Sequence, residues 1–244
     1  GGGGGTGGGG TGGGTSRLPT MGDDSLEGTS RANRISGLAG DDTILGRAGN
    51  DQIFGGRGDD GLFGHYGRDT IKGGSGADYL FGGVGNDSLY GDTGADNISG
   101  NAGRDRLFGG GGNDYLWGDV GGAGGNDTLI GGAGIDRLGG GNGADRFVFS
   151  HVNHMNGGVG PADWIMDFKG YEGDRLDLSG IDANPFRRGD QAFRFLGDAD
   201  FTNRPGQLTY VAGFLHGDID GNGRADFVIR FLPDVVLRAV FIDL

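Results

Sequence analysis

From Gly37 to Val148 an aspartate returns every nine residues, as Asp42, Asp51, Asp60, Asp69, Asp78, Asp87, Asp96, Asp105 and Asp114. After a step of 13 residues to Asp127 the period resumes at Asp136 and Asp145, which makes twelve copies with one four-residue insertion near Gly118 to Gly121. A copy reads Gly82-Gly83-Val84-Gly85-Asn86-Asp87-Ser88-Leu89-Tyr90. In all twelve the first and fourth positions are Gly, the sixth is Asp, and the eighth is apolar, from Ile44 through Leu89 to Phe147. Two degenerate copies precede them, centred on Asp24 with Leu26 and on Asn33 with Ile35.

The pattern reverses what composition alone suggests. Gly and Pro together make 68 of 244 residues, 63 plus 5, a share of about 28% that reads as disordered chain unless a period organises it. Proline is scarce and glycine does not fall on every third residue, so collagen is excluded. Within each copy the first six residues suit a turn that visits positive φ and presents carbonyls. The last three, with one apolar residue between two outward ones, suit a very short strand. Alternating turns and strands predict an all-β fold, a right-handed parallel β-roll with two copies per coil. Copies 18 residues apart then stack at roughly 4.8 Å. Asp42, Asp60, Asp78, Asp96 and Asp114 form one ladder; Asp51, Asp69, Asp87 and Asp105 form the other.

Carboxylates stacked that closely repel unless cations lie between them. Of 33 acidic residues only Glu27 and Glu172 are Glu, and the net charge is −13, so the short acid is selected for tight turns. Calcium fits best, as a hard ion taking six to eight oxygens from carboxylates and carbonyls. Magnesium demands stricter geometry and transition metals prefer His or Cys, which the copies lack apart from His65. The candidate calcium ligands are the twelve aspartates from Asp42 to Asp145, with Asp24 a weaker candidate. A separate stretch, Asp218-Ile219-Asp220-Gly221-Asn222-Gly223-Arg224-Ala225-Asp226, places oxygens of Asp218, Asp220, Asn222 and Asp226 at positions 1, 3, 5 and 9 with Gly at 6. That resembles an EF-hand calcium loop, although Ile229 stands where position 12 needs Glu. One apolar residue in nine is a thin core, so the roll is expected to be disordered without calcium and to fold as the metal binds.

The remaining features bound the functional classes. Acidity argues against nucleic acid or anionic membrane as a partner. There is no cysteine, hence no disulfide or thiolate zinc site, and no apolar run long enough to span a membrane. No cleavable secretory signal is visible, and a chain beginning with glycine reads as a processed product or part of something longer. Residues 1–18 read as a Gly/Thr-rich tether, residues 19–148 as the roll (degenerate at 19–36, clear at 37–148), and residues 149–244 as a β-rich cap. Within the cap, strands are expected at Trp164 to Phe168, Arg175 to Leu178, Gln191 to Leu196, Gln207 to Leu215, Ala225 to Leu232 and Ala239 to Leu244.

The nonapeptide resembles the calcium-binding repeat of RTX proteins. The segments Gly143-Ala144-Asp145-Arg146-Phe147-Val148-Phe149, Asp163-Trp164-Ile165-Met166-Asp167-Phe168 and Gly173-Asp174-Arg175-Leu176-Asp177-Leu178-Ser179 are similar to the C-terminal domain of serralysin-type metalloproteases (the M10 peptidase family). Roll and cap together carry the resemblance over about 90% of the chain. It implies a secreted protein, a calcium-folded module and a C-terminal signal for type I secretion. The apolar end Val240-Phe241-Ile242-Asp243-Leu244 resembles such a signal. The protease activity is not carried over. The only histidines are His65, His151, His154 and His216, no HExxH occurs, and the His151-x-x-His154 pair reads as loop residues rather than ligands. A GxSxG elbow with a His/Asp set is also missing. The chain therefore reads as non-catalytic.

The ninth position should face outward, yet it is aromatic at Phe54, Phe63, Phe81, Tyr90, Phe108 and Trp117. Local packing around the strands explains this; so would an apolar stripe for lateral association into an oligomer, filament or sheet. Three functions stay open: a structural, self-associating extracellular protein; the folding and secretion module of a larger metalloprotease- or lipase-type exoenzyme; and an adhesin that binds carbohydrate or another ligand.

Overall fold

The computed structural model describes residues 19–121, 124–150, 162–184, 191–232 and 234–244. The tether expected at 1–18 and the His151/His154 pair lie outside these residues. The described chain is β throughout, with a single 3-10 turn at Ala239–Phe241. Two sheets face each other, one of twelve strands and one of nine, and the chain alternates between them. Within the roll every strand pairs in parallel with the strand one coil away, as in Leu62↔Leu80↔Ile98 on one sheet and Ile53↔Ile71↔Leu89 on the other. The all-β parallel roll expected from the period is the fold observed.

The eighth-position side chains form the core. Leu26, Ile35 and every one from Ile44 to Phe147 are at most 2% exposed. With side chains alternating across a strand, the apolar residue points between the sheets while its neighbours point out.

The strands are longer than the nonapeptide pattern implies. In the middle of the roll they run six residues, as in Gln52–Arg57, Thr70–Ser75 and Ser88–Thr93, so they include positions 7 to 9 and then 1 to 3 of the next copy. Glycines expected to belong to the turn are in the ladder instead. The reason is close approach. A Cβ on Gly56 would lie 2.2 Å from the Leu38 carbonyl oxygen and one on Gly74 2.1 Å from that of Gly56, so bare backbone lets the coils stack and hydrogen-bond across these positions. The second position carries positive φ even where it is not glycine, at Leu38, Arg47, His65, Asp92 and Asn101; the fold imposes that conformation against local preference.

The ladder also continues past the expected boundary at 148. Asp163–Ile165 pairs with Arg137–Gly139, and Arg175–Asp177 pairs with Arg146–Val148, both in parallel. The first cap residues are thus a further coil without the glycine signature. The sheets then close differently. Phe227–Phe231 and Ile242–Asp243 add in parallel to the two stacks, and the stretch expected as one strand from Gln207 to Leu215 is an antiparallel hairpin, Gln207–Val211 and Phe214–Asp218, with Arg194–Phe195 in parallel at its outer edge. Its turn residues, Ala212 and Gly213, both have positive φ, the conformation a two-residue hairpin needs. Phe168 against Phe231 and Phe193 against Phe227 pack edge to face at 5.6 and 5.7 Å, so aromatic volume replaces the single aliphatic column at this end.

Candidate metal centre

The repeating aspartates lie at the two edges of the roll, where the chain crosses from sheet to sheet. Along one edge the backbone N–H of each donates to Oδ1 of the aspartate one coil later: Asp42 to Asp60 and Asp60 to Asp78 at 2.8 Å, Asp78 to Asp96 and Asp96 to Asp114 at 2.9 Å. Along the other edge Asp51 donates to Asp69 and Asp69 to Asp87 at 2.7 Å, and Asp87 to Asp105 at 2.8 Å. The two predicted ladders are therefore both present. The insertion leaves them intact, since Asp105 N–H still reaches Asp127 at 2.8 Å and Asp114 reaches Asp136 at 2.9 Å. Asp127 in turn donates to Asp145 at 2.9 Å.

Only half of each carboxylate is used. Oδ2 of all twelve aspartates from Asp42 to Asp145 is buried and has no hydrogen-bond partner. That is a heavy cost for a charged group, and it recurs at every turn. Burial accordingly pushes these carboxyls up: Asp51, Asp78, Asp96, Asp105, Asp136 and Asp145 to about 6, Asp60, Asp87 and Asp114 to about 7, Asp127 to about 8, with Asp42 and Asp69 raised as well. Hydrogen bonds from the preceding coil oppose the shift, and neighbouring ladder carboxylates mostly add to it.

The space beside each orphan oxygen is kept clear by the first glycine of the copy or, for Asp127, by Gly118 ahead of the insertion. A Cβ on Gly55 would lie 2.2 Å from Asp60 Oδ2 and 2.7 Å from the Gly73 carbonyl oxygen; on Gly91 the values are 2.3 Å to Asp96 and 2.6 Å to Gly109. Carboxylate and carbonyl oxygens thus converge on an uncovered cradle. The donor set is all oxygen, repeats along both edges, and leaves an anionic atom without a partner. These are the requirements of a hard divalent cation, and they fit calcium.

Reasoning from the period missed three aspartates. Asp163 and Asp174 extend the ladders, accepting from Asp136 N–H at 2.8 Å and Asp145 N–H at 3.0 Å. Each keeps the spacing Asp-x-apolar, as Asp163-Trp164-Ile165 and Asp174-Arg175-Leu176, so the apolar partner two residues on was the available signal. Asp119, in the insertion, is 6% exposed, accepts from Gly125 N–H at 2.8 Å and is pushed up to about 6 by burial. Nothing in the period marks it. A second ladder was also unforeseen. Fifth-position side chains accept from the backbone one coil later, as Asp41 from Asp59 N–H at 2.8 Å and Asn86 from Arg104 N–H at 2.8 Å.

The N-terminal end is weaker. Asp24 donates its N–H to Asp42 at 2.7 Å, while its own Oδ2 accepts from Thr20 N–H at 2.5 Å. Asn33 replaces a charged ligand on the other edge. In the cap, the carboxylate oxygens of Asp218, Asp220 and Asp226 lie within 4.8 Å of one another. They are already engaged: Asp218 accepts from Gly221 and Gly223, Asp226 from Ile219 and Asp220, and Asp220 from both nitrogens of Asn222. Ile229 is buried in the following strand, so it offers nothing to an ion.

The ninth-position aromatics divide by sheet. On the nine-stranded sheet Arg34 lies 4.2 Å over the Phe54 ring, Lys72 5.0 Å over Tyr90, and Tyr90 stacks on Phe108 at 4.7 Å. On the twelve-stranded sheet Phe63 stacks on Phe81 at 5.2 Å and Trp117 tilts against Tyr115 at 6.1 Å. In the stretch of that second face around Phe63 and Phe81 no cation lies over the rings among the described residues, and Tyr66, Tyr79, Phe81 and Val84 are exposed; nearer the cap the same sheet has Arg230 4.4 Å over Trp164.

Comparison with known proteins agrees with the repeat chemistry. The family model for the RTX calcium-binding nonapeptide repeat (4 copies) matches residues 27–62, 54–89, 63–98, 90–122 and 121–149, together 123 of 244 residues. No curated protein matches the chain. Among solved structures it is similar to the AlgE6R3 subunit of the mannuronan C5-epimerase from Azotobacter vinelandii, at 20% identity and a TM-score of 0.30 over 94% of this chain and 82% of that one. With a matching family model over half its length and a buried carboxylate with a free oxygen in each copy, this chain belongs to the family of RTX calcium-binding nonapeptide repeat proteins.

Proposed function

We propose that the chain is a non-catalytic, secreted calcium-binding protein that folds on meeting extracellular calcium and then serves as a structural, self-associating element. The observation that carries the reading is the unpartnered Oδ2 in twelve successive buried aspartates. A roll with that much uncompensated desolvation is disfavoured until ions occupy the edges, so binding energy is folding energy. Export as an unfolded acidic chain, followed by folding outside, is the use such coupling suits. The resemblance of the cap to serralysin-type C-terminal domains supports type I secretion, with the signal near Val240 to Leu244. No helix among the described residues is long and apolar enough to cross a membrane.

Self-association is drawn from the twelve-stranded face, where Tyr66 is 64%, Tyr79 54% and Val84 54% exposed. The cation-covered aromatics of the opposite face do not suit that role. The second reading, a calcium-folding and secretion module of a larger exoenzyme, is favoured by the cap's continuation of both sheets, which builds one unit that an upstream domain could use. An adhesin role has no observation of its own. The experiment is a calcium titration followed by circular dichroism and negative-stain electron microscopy. Little β signal in chelator, a cooperative gain with calcium and assembled particles are expected; a full β spectrum in chelator would refute the calcium-coupled fold. Monomeric particles at saturation would favour the module.

A further inference from the structure

Along the edge that carries Asp51 to Asp145, every ladder carboxylate has one oxygen without a partner. The next turn, residues 167–174, departs from this. Asp174 uses both oxygens, accepting from Asp145 N–H at 3.0 Å and from Lys169 N–H at 2.6 Å. Asp167 stands where lower turns have their first glycine, and its two oxygens accept from Gly140 and Gly141 N–H, both at 2.8 Å. The Lys169 ammonium donates to the Gly141 carbonyl. It also lies 3.6 Å from Glu172 Oε2 and 3.9 Å from Asp167 Oδ2. In the lower turns of this edge the position of Lys169, third in the copy, is held by Ala48, Tyr66, Val84, Ala102, Val120 and Asn142, none of them cationic.

We infer that the Lys169 ammonium takes the place of a calcium ion between turns 140–145 and 167–174, so that the ion series on this edge stops one gap short of the cap. An ammonium is a compact charge with three donors; here one carbonyl accepts from it and two carboxylates lie within ion-pair distance. Being covalently attached, it is present at any calcium concentration. The terminal turn is thereby tied to the roll by a cation that chelators cannot remove. The only other lysine, Lys72, sits on a sheet face over Tyr90, so the two amines form an internal comparison.

The inference rests on the calcium reading of the ladders, and one experiment separates the two. Amine acetylation is followed by peptide mass spectrometry at saturating calcium, and bound ions are counted by native mass spectrometry in the wild type, Lys169→Ala and Lys72→Ala. Lys169 should react about tenfold or more slowly than Lys72, the scale of a charged hydrogen bond. Lys169→Ala should hold one more calcium ion than the wild type, and Lys72→Ala the same number. Equal reactivity of the two lysines in saturating calcium, meaning that an ion has expelled the side chain, overturns the inference; so does a folded Lys169→Ala with the wild-type count. Should Lys169→Ala not fold, the acetylation rates decide. A wild type that binds no calcium at all overturns the calcium reading itself.

Discussion

Two glycines of one copy, Gly55 and Gly61, should respond in opposite ways to alanine. At Gly55 the new methyl would sit 2.2 Å from Asp60 Oδ2 and 2.7 Å from the Gly73 carbonyl oxygen, both well inside van der Waals contact. Its φ is not in the left-handed region, so the backbone tolerates alanine and the cost falls on the cradle. The Asp60 carboxylate must swing away, which breaks the 2.8 Å bond from Asp42 N–H and moves a ligand oxygen off the ion. Leaving that buried N–H unpaired costs about 1–3 kcal/mol, equivalent to roughly a 5- to 150-fold loss in calcium affinity at that site. At Gly61 the nearest atom to a new Cβ is Phe63 Cε2 at 3.5 Å, and alanine removes chain entropy from the unfolded state, a gain of about 0.4–1 kcal/mol. The assay is the calcium midpoint by circular dichroism, with melting at saturation. Gly55→Ala should shift the midpoint to higher calcium and lower the melting temperature, while Gly61→Ala should leave or improve both. A Gly55→Ala midpoint equal to that of the wild type would refute the assignment of first-position glycines as ion cradles.

Three further outcomes follow from the same geometry. The raised ladder carboxyls make the metal-free roll a proton-stabilised state: their contribution is fully present below the unfolded value near 3.8 and is lost as pH rises through about 6 to 8. In chelator, β signal should therefore grow between pH 8 and 5.5, and calcium uptake at pH 6.5 should release protons; a β signal that falls on acidification contradicts this. Replacing Phe63 and Phe81 by Ser should lower the assembled fraction seen by light scattering at saturating calcium, whereas Phe54→Ser, on the cation-covered sheet, should not; equal effects would remove the face assignment. Asp220→Ala should leave the main folding midpoint unchanged, because the Asp218–Asp226 loop already satisfies its carboxylates with its own N–H groups; a large shift would make that loop part of the principal calcium set.

The roll was legible because its period couples two kinds of residue that obey different rules. An Asp at the sixth position fixes the edge and an apolar residue at the eighth fixes the inside, so sheet, register and both ladders follow from spacing. What spacing does not carry is how far a strand extends into glycine, since backbone pairing at Gly56 or Gly74 leaves no side-chain trace. Asp163 and Asp174 escaped because their copies lost the glycines while keeping the Asp-x-apolar core. Lys169 escaped because a cation supplied by the chain has no period to match. Strands in the cap lie near the apolar runs that mark them, but the turn at Ala212-Gly213 is hidden inside one such run, and the run from Ala239 to Leu244, expected as one strand, begins as a 3-10 turn with only Ile242–Asp243 in the sheet.

The insertion after Trp117 has a consequence beyond this chain's own fold. It adds four residues to a turn, yet Leu107 still lies opposite Leu129 and Leu116 opposite Leu138. Slack at an edge is thus decoupled from order in the sheets. Edge turns are the positions where such a protein can gain sequence by drift or by design, and where a foreign peptide could be carried at a fixed height along a rigid rod.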